Sequence, residues 1–593
     1  MRSAPHHTTL SPPATTAPAA WVALAMVALT FCPRNTTAQD ETTSSPSSPS
    51  PTTLDTPPDS LSTHDGNTPA TESPESESPI ISADNFWPQW RGPHFNGVAP
   101  NGYPPTEWNE DLNVRWKIPL PGRGTSTPIV WNDKVFVLTA INTEKQNPEA
   151  QPAPKTGPRR GPFAPGRRFR PFGGKEGGRL FPTAPPVPKH VFQFLVLCID
   201  RQTGATLWQH AAAQSVPHEG HHENNSFASA SPVTDGERLY VSFGSRGIHC
   251  YSLDGAPLWS RDLGHMLSRR SFGEGASPTL AGNTLILNWD HEGQSFIVAL
   301  DKFSGETLWR TDRDEGSTWS TPLPVSTPAG TQIVTNGHHA VRSYDLANGD
   351  LIWDASGQTE RPVASPVAGL DHVFVASGYR DSKLSAIQLG HTGNLTATDA
   401  ISWELDRNTP DIPSLLLSND RLFFLARNSG MISCLDALTG TTHFGPERIG
   451  VYEVYASPVA ADGHIFVAGR DGNTIVLKDD TTLEIVATKS LDDHFDASPA
   501  IAGPDLFLRG KNHLYCISQA APTDFGKSVI AAENPQAPDS PSESAPESLP
   551  DPTLPPTTPA TALDPVPNLE PDTPLTSPLP EPPPLPEPEV PNP

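Results

Sequence analysis

Five arginines stand at nearly the same place in five short turns: GSRG around Arg246, SGYRDS around Arg380, ARNSG around Arg427, GRDG around Arg470 and LRGKN around Arg509. A guanidinium presents paired N–H donors in one plane, so several gathered together recognise carboxylates or phosphates. The plainer reading is that each pairs with a nearby acid, such as Asp381 or Asp471, and pins its own turn. A second group, PHEGHHENN (217–225) with WDHEGQ (289–294), holds His218, His221, His222, Glu223, Asp290, His291 and Glu292. From it, His221, His222, Asp290 and His291 form a candidate metal set. The spacing is not the dense, fixed spacing of known zinc sites, and solvated loop histidines account for the same residues. No nucleophile elbow, phosphate loop or dinucleotide glycine motif stands out, and GRGTSTP (122–128) lacks the lysine of a phosphate loop. No catalytic residue is assigned.

The elements that would position these side chains are written as a repeat. CIDRQTGATLW (198–208), ALDKFSGETLW (299–309) and SYDLANGDLIW (343–353) are one sentence used three times. A Ser-Pro or Thr-Pro pair precedes each unit, at Thr127, Ser231, Ser277, Thr321, Ser365, Ser457 and Ser498, with Pro413-Ser414 as a degenerate version. From Ser231 to Ser498 the steps are 46, 44, 44, 49, 43 and 41 residues, the span of a four-stranded propeller blade. In the second unit, SASPV, RLYVSFG, GIHCYSLDG and APLW supply the four strands, with Asp-Gly at the last hairpin. Trp116, Trp208, Trp259, Trp309, Trp353 and Trp403 are expected to fill the seams between blades. The last unit lacks an outer strand, and NVRWKIPL (113–120) has no repeat before it. Pairing the two removes both open edges. The expected fold is all-β: an eight-bladed β-propeller of four-stranded blades, its ring closed by an N-terminal outer strand. The loops between second and third strands then share a face, which places the five arginines around one channel mouth.

The repeated sentence resembles AxDxxTGxxxW, the Trp-docking motif of pyrroloquinoline-quinone-like (PQQ-like) repeat proteins. The resemblance covers residues 85–518. It is specific at blades one, three and four; blade two is one residue short, blade six has Phe444 for Trp, and blades five and seven are looser. NFWPQWRGPHFNG (85–97) with RWKIPLPGRGTSTP also looks like secreted planctomycete propellers, similar to the BamB-like propeller lipoprotein of outer-membrane assembly. Resemblance to the quinoprotein dehydrogenases of the same superfamily would imply bound PQQ, a Ca²⁺ ion, a catalytic Asp and two adjacent disulfide-bonded cysteines. This chain has no adjacent cysteines, and its folded part is shorter than those enzymes. The reading is therefore a non-catalytic binding or scaffolding module of the cell envelope, with its ligand on the Arg-bearing face. No cofactor is firmly implied; PQQ with Ca²⁺ belongs to the alternative, a quinone-dependent oxidoreductase.

Composition divides the chain further. Residues 1–38 read as a signal peptide, with an apolar run from Ala19 to Phe31 too short to span a bilayer. Bulky Phe31 before Cys32 argues against lipid anchoring there. Residues 39–84 and 522–593 read as disordered Ser/Thr/Pro-rich acidic segments around the propeller (85–521). They carry −9 and −11 of the formal −26, which excludes a nucleic-acid binder and leaves the folded part only mildly acidic. A basic, Pro/Gly-rich insertion at 141–190 reads as a mobile loop. Cys198, Cys250, Cys434 and Cys516 recur in one strand of different units and are expected as buried free thiols. The expected partner is an envelope protein or an anionic polysaccharide, and the expected state a monomer with no transmembrane segment in the mature chain.

Overall fold

Alternating apolar residues in short runs, cut by Gly and Asp turns, make half-buried strands, and thirty-two of these build eight antiparallel sheets. The computed structural model describes residues 82–146 and 185–519. The leader, Cys32, nearly all of the 39–84 linker, the centre of the basic insertion and the C-terminal tail lie outside them. Blade 1 is Ile129–Trp131, Lys134–Gln146, His190–Asp200 and Thr206–Ser215. Blades 2 to 7 follow at 233–261, 279–313, 323–356, 367–405, 416–453 and 459–490. Residues 141–146 and His190 continue the long strands of blade 1, so the insertion is shorter than 141–190. Among the described residues, no helix is long and apolar enough to cross a membrane.

The ring closes as the unpaired strands require. Blade 8 is Ala500–Ala502, Asp505–Arg509 and His513–Ser518, completed by Val114–Pro119, with Trp116 opposite Cys516 and Ile118 opposite Leu514. Buried Asp505 staples this seam through Arg115 at 2.9 Å and Arg201 at 2.7 Å.

The repeated sentence is a docking joint. Trp116, Trp208, Trp259, Trp309 and Trp403 each donate an indole N–H to a carbonyl at the next blade's last hairpin, at 2.8–3.0 Å. Each ring lies against a glycine of that hairpin, for example Gly305 on Trp259, with φ +70° and no room for a Cβ. The small residue before the Asp faces the indole across the sheet: Cys198 opposite Trp208, Cys250 opposite Trp259, Ala299 opposite Trp309. The four described cysteines are buried free thiols, and burial pushes Cys198, Cys250 and Cys434 up to about 12, which leaves them unreactive. Trp353 departs from the pattern. A segment of blade 5, Gly393–Asn394, lies parallel on the outer strand of blade 4, and Trp353 bonds Gln332 within its own blade. The long 49-residue step holds this extra segment.

The Ser/Thr-Pro marks carry a second joint. The N–H of Thr127 donates to the Ser231 hydroxyl, Ser231 to Ser277, Ser277 to Thr321 and Thr321 to Ser365, at 2.8–3.1 Å. Ser365 to Ser414, Ser414 to Ser457 and Ser457 to Ser498 continue it, at 2.8–2.9 Å. Proline after seven of the eight marks, and before Ser414, removes an N–H where the innermost strand has no further neighbour. Seven bonds thus link eight inner strands around the axis, and the buried hydroxyl of Thr127 accepts none. At that seam Arg509 spans the blades instead, donating to the carbonyl and hydroxyl of Ser126 and to the Leu138 carbonyl.

The belt generates a paired test. Thr321→Val removes the acceptor of a buried N–H and should cost about 1–3 kcal/mol. Thr127→Val removes a hydroxyl with no partner and should be neutral to within about 0.5 kcal/mol. Denaturant midpoints of the two isosteric variants check this; equal losses would show that the belt bonds carry no stability.

Candidate functional site

The N-terminal strap, residues 87–99, crosses one end of the channel. Trp87 exchanges backbone bonds with Val130, and the Pro88 carbonyl accepts from Thr234. Beyond the axis, Arg91 donates to the carbonyls of Leu415 and Pro458 at 2.8 and 3.0 Å, and Ala99 donates to Ala460 at 2.8 Å. Arg91 is buried without a carboxylate, and desolvation lowers its pKa to about 9. Trp90, carried on this strap, forms the floor of a cavity of 530 Å³ that opens at the opposite end. Antiparallel blades put the loops from outer to inner strand, and from second to third strand, at that open end.

Three layers line the cavity. Deepest are belt hydroxyls, those of Ser231, Ser277, Thr321, Ser457 and Ser498. Above them stand aromatic rings, Phe272, Trp319, Tyr379 and Tyr455, and among these the guanidiniums of Arg270, Arg361 and Arg380. Arg361 lies over the Tyr379 ring at 3.3 Å from its centroid and faces Phe272 at 5.6 Å. Trp319 is pinned by its N–H to the Gly273 carbonyl at 2.7 Å. Two carboxylates also line it: Asp496 pairs with Arg470 at 2.7 Å, and Asp411, accepting from Asn428 at 3.4 Å, is pushed up by burial.

The five register arginines meet five different environments. Arg380 lines the cavity, 57% exposed, with Glu360 at 3.9 Å as its only ion-pair contact among the described residues. Arg470 does not pair with Asp471. It is clamped by Asp496 and Glu453, both at 2.7 Å, by His494 at 3.1 Å and by Asn224 at 2.9 Å, over the Tyr455 ring. Arg509, 2% exposed, is the seam bridge and shares a 320 Å³ pocket with Arg470 and Arg123. Arg427 is exposed on a turn of positive φ. Arg246 lies apart, donating to His218 Nδ1 at 2.9 Å. Register fixes the turn but not the partner. Arg270 and Arg361 sit in the loops between blades, outside any repeat position, and no sequence signal marked them.

The candidate metal residues are not gathered. Asp290 makes a buried two-point pair with Arg313, at 2.8 and 3.0 Å. His291 accepts from the N–H groups of Leu267 and Gly293 and faces the Gln294 carbonyl. His221 packs edge-on against Phe227, and His222 against Phe272 at the cavity wall. The structure instead brings together His218, Glu219 and Glu274, whose ligand atoms lie within 4.8 Å. Each already has partners: Glu219 accepts from Ser268, Glu274 from Ser245, and His218 Nε2 faces the Met266 carbonyl at 2.6 Å. Burial raises both carboxyls, Glu274 to about 7, and lowers His218.

Comparison with known proteins follows this geometry. Residues 193–445 match the family model described as outer membrane protein assembly factor BamB. No curated protein matches the chain by sequence. Among solved structures, the chain is similar to BamB from Moraxella catarrhalis, at 14% identity over 55% of this chain and 91% of that one, with a TM-score of 0.38. It is similar to quinohemoprotein alcohol dehydrogenase from Comamonas testosteroni, at 10% identity over 74% and 82%, with a TM-score of 0.50. Likeness at this identity shows the fold alone.

The raised Glu274 carboxyl has a signed consequence. The unfolded chain releases this proton near pH 4.5 while the folded chain keeps it to about pH 7. Stability therefore falls as pH rises through that window. Glu274→Gln should remove the slope, narrowing the loss between pH 4.5 and 7.5 by on the order of 1–3 kcal/mol relative to the unmodified protein. Denaturation at several pH values checks it; parallel pH curves would show that Glu274 ionises normally.

Proposed function

The chain is a PQQ-like β-propeller protein, and from that premise we propose that it is an exported, non-catalytic binding module of the cell envelope whose ligand enters the open channel mouth. The observation that carries the reading is the dead-end cavity. A volume of 530 Å³, aromatic walls and a few convergent polar groups match a ligand pocket, for which roughly 300–1,000 Å³ is usual. The apolar run at residues 19–31 supports export. The matching family model is described as an assembly factor, which agrees with binding.

The second reading, a quinone-dependent oxidoreductase, draws on the dehydrogenase neighbour and on the aromatic, arginine-bearing walls, which would suit a flat polycarboxylate. The cavity's carboxylates fit the calcium ion poorly. Calcium needs six to eight oxygen ligands, yet Asp496 is committed to Arg470, and Asp411, bonded to Asn428, is the one other carboxylate lining this cavity among the described residues. Neither gathering of potential ligand atoms among the described residues lines this cavity. No chemical step is therefore derived through the quinone.

Denaturing the purified protein should release no quinone absorbance, and the protein should not reduce dye with alcohols or sugars. Released quinone together with turnover would overturn the binding reading. In the same preparation Arg380→Ala, which removes a largely exposed side chain, should change stability by less than about 0.5 kcal/mol. Arg470→Ala should cost more, on the order of 1–3 kcal/mol, because it leaves the half-buried Asp496 without its cation.

A further inference from the structure

The least satisfied group in the cavity wall is Arg361. It is 9% exposed, its Nε is buried without a partner, and it makes no hydrogen bond or ion pair with any described residue. A buried guanidinium usually has its N–H groups met, because leaving them unmet costs about 1–3 kcal/mol each. Phe272 and Tyr379 hold it between aromatic faces, and the carboxylates of Asp411 and Glu360 act on it only through space, with no contact at hydrogen-bond or ion-pair distance.

A second, independent feature concerns the backbone. Arg270, Arg361 and Arg380 all have positive φ, at 56°, 60° and 66°, and all three line this one cavity. Left-handed backbone costs a non-glycine residue roughly 1–2 kcal/mol, and such outliers cluster at ligand clamps. The three arginines come from separate loops, 269–271, 361 and 379–381, so no shared turn type explains the coincidence.

The floor adds a third. Each belt hydroxyl except that of Thr127 accepts its neighbour's N–H through oxygen and still holds one proton to donate. Those of Ser231, Ser277, Thr321, Ser457 and Ser498 face the cavity and donate to no described residue. The cavity therefore offers donors at two depths, cationic near the mouth and neutral at the base, with ring faces between.

Resting on the binding reading above, we propose that the cavity takes the end of an acidic saccharide chain, a terminal uronate whose carboxylate meets Arg361, flanked by Arg270 and Arg380, and whose ring lies against Trp319. Sugar hydroxyls supply acceptors for the belt protons, which a flat aromatic acid would leave unmet. The Trp90 floor blocks passage, so the site receives a chain end and not its middle. An isolated anion would leave the aromatic faces uncovered.

The test titrates the full chain with trigalacturonate, following tryptophan fluorescence and heat. The fully methyl-esterified trimer keeps the rings and removes the charge, and inorganic phosphate keeps a charge and removes the rings. Trigalacturonate should bind at least tenfold more tightly than either control. Arg361→Gln should weaken it at least tenfold. If that variant does not fold, the double variant Arg270→Gln with Arg380→Gln should still show the loss. Equal binding of the ester, equal binding of phosphate, or unchanged binding in the folded variants would overturn the proposal. Absence of saccharide binding in protein that also yields no quinone refutes the saccharide proposal and spares the binding reading. Absence of binding with quinone released and dye reduced refutes both.

Discussion

A serine hydroxyl that accepts a hydrogen bond from the neighbouring blade is the constraint on which this molecule depends. Seven such bonds, repeated around the axis, tie each inner strand to the next. An innermost strand is an edge, and an edge N–H in a closed ring has little water to meet. Serine or threonine answers that N–H one blade away, and the proline beside it removes another. Because the oxygen is used for the joint, the hydroxyl proton is left free to donate. The bond that closes the ring therefore also lines the cavity with donors, so architecture and binding surface share their residues.

How much of this was legible depended on whether a residue's task repeats. The indole against a glycine of positive φ recurs in five blades, so AxDxxTGxxxW is visible and its period yields eight blades. The missing outer strand after Ser518 and the orphan strand around Trp116 also pointed at each other, since neither edge is tolerable alone. The Ser/Thr-Pro pairs were visible as marks, but their hydrogen bonds run between residues more than forty positions apart, which no local pattern reports. Blade 4 shows the limit from the other side. Trp353 keeps the motif's letter and loses its partner, because the Gly393–Asn394 segment covers the outer edge.

The candidate site was less legible for the same reason. Arg246, Arg380, Arg427, Arg470 and Arg509 share a turn position, and a turn position fixes backbone geometry alone. What each guanidinium meets is decided by non-repeating neighbours: a clamp of Asp496 and Glu453 for Arg470, a seam of carbonyls for Arg509, a histidine for Arg246. Arg361 lies in a loop that repeats nothing, where its aromatic neighbours, Phe272 and Tyr379, come from two different loops. Likewise His221, His222, Asp290 and His291 look like ligands because they stand as two adjacent pairs in loops expected on one face. Asp290 is instead spent on the buried Arg313, inside the wall between blades 3 and 4.

Charge gives the last step. The chain carries a formal −26, yet three arginines line the cavity mouth, and of its two carboxylates Asp496 is paired with Arg470 while burial raises Asp411. Acidic segments 39–84 and 522–593 put many carboxylates on the same molecule, so charge alone would select nothing. At physiological salt, exposed charges interact over only about 8 Å, and a solvated carboxylate gains little from an exposed arginine such as Arg380. Arg361 is different because little of it is exposed and two rings hold it. On the proposed reading a carboxylate reaches it only on a body that fits the cavity beside Trp319, and that steric condition, more than the count of positive charges, would give the mouth its selectivity.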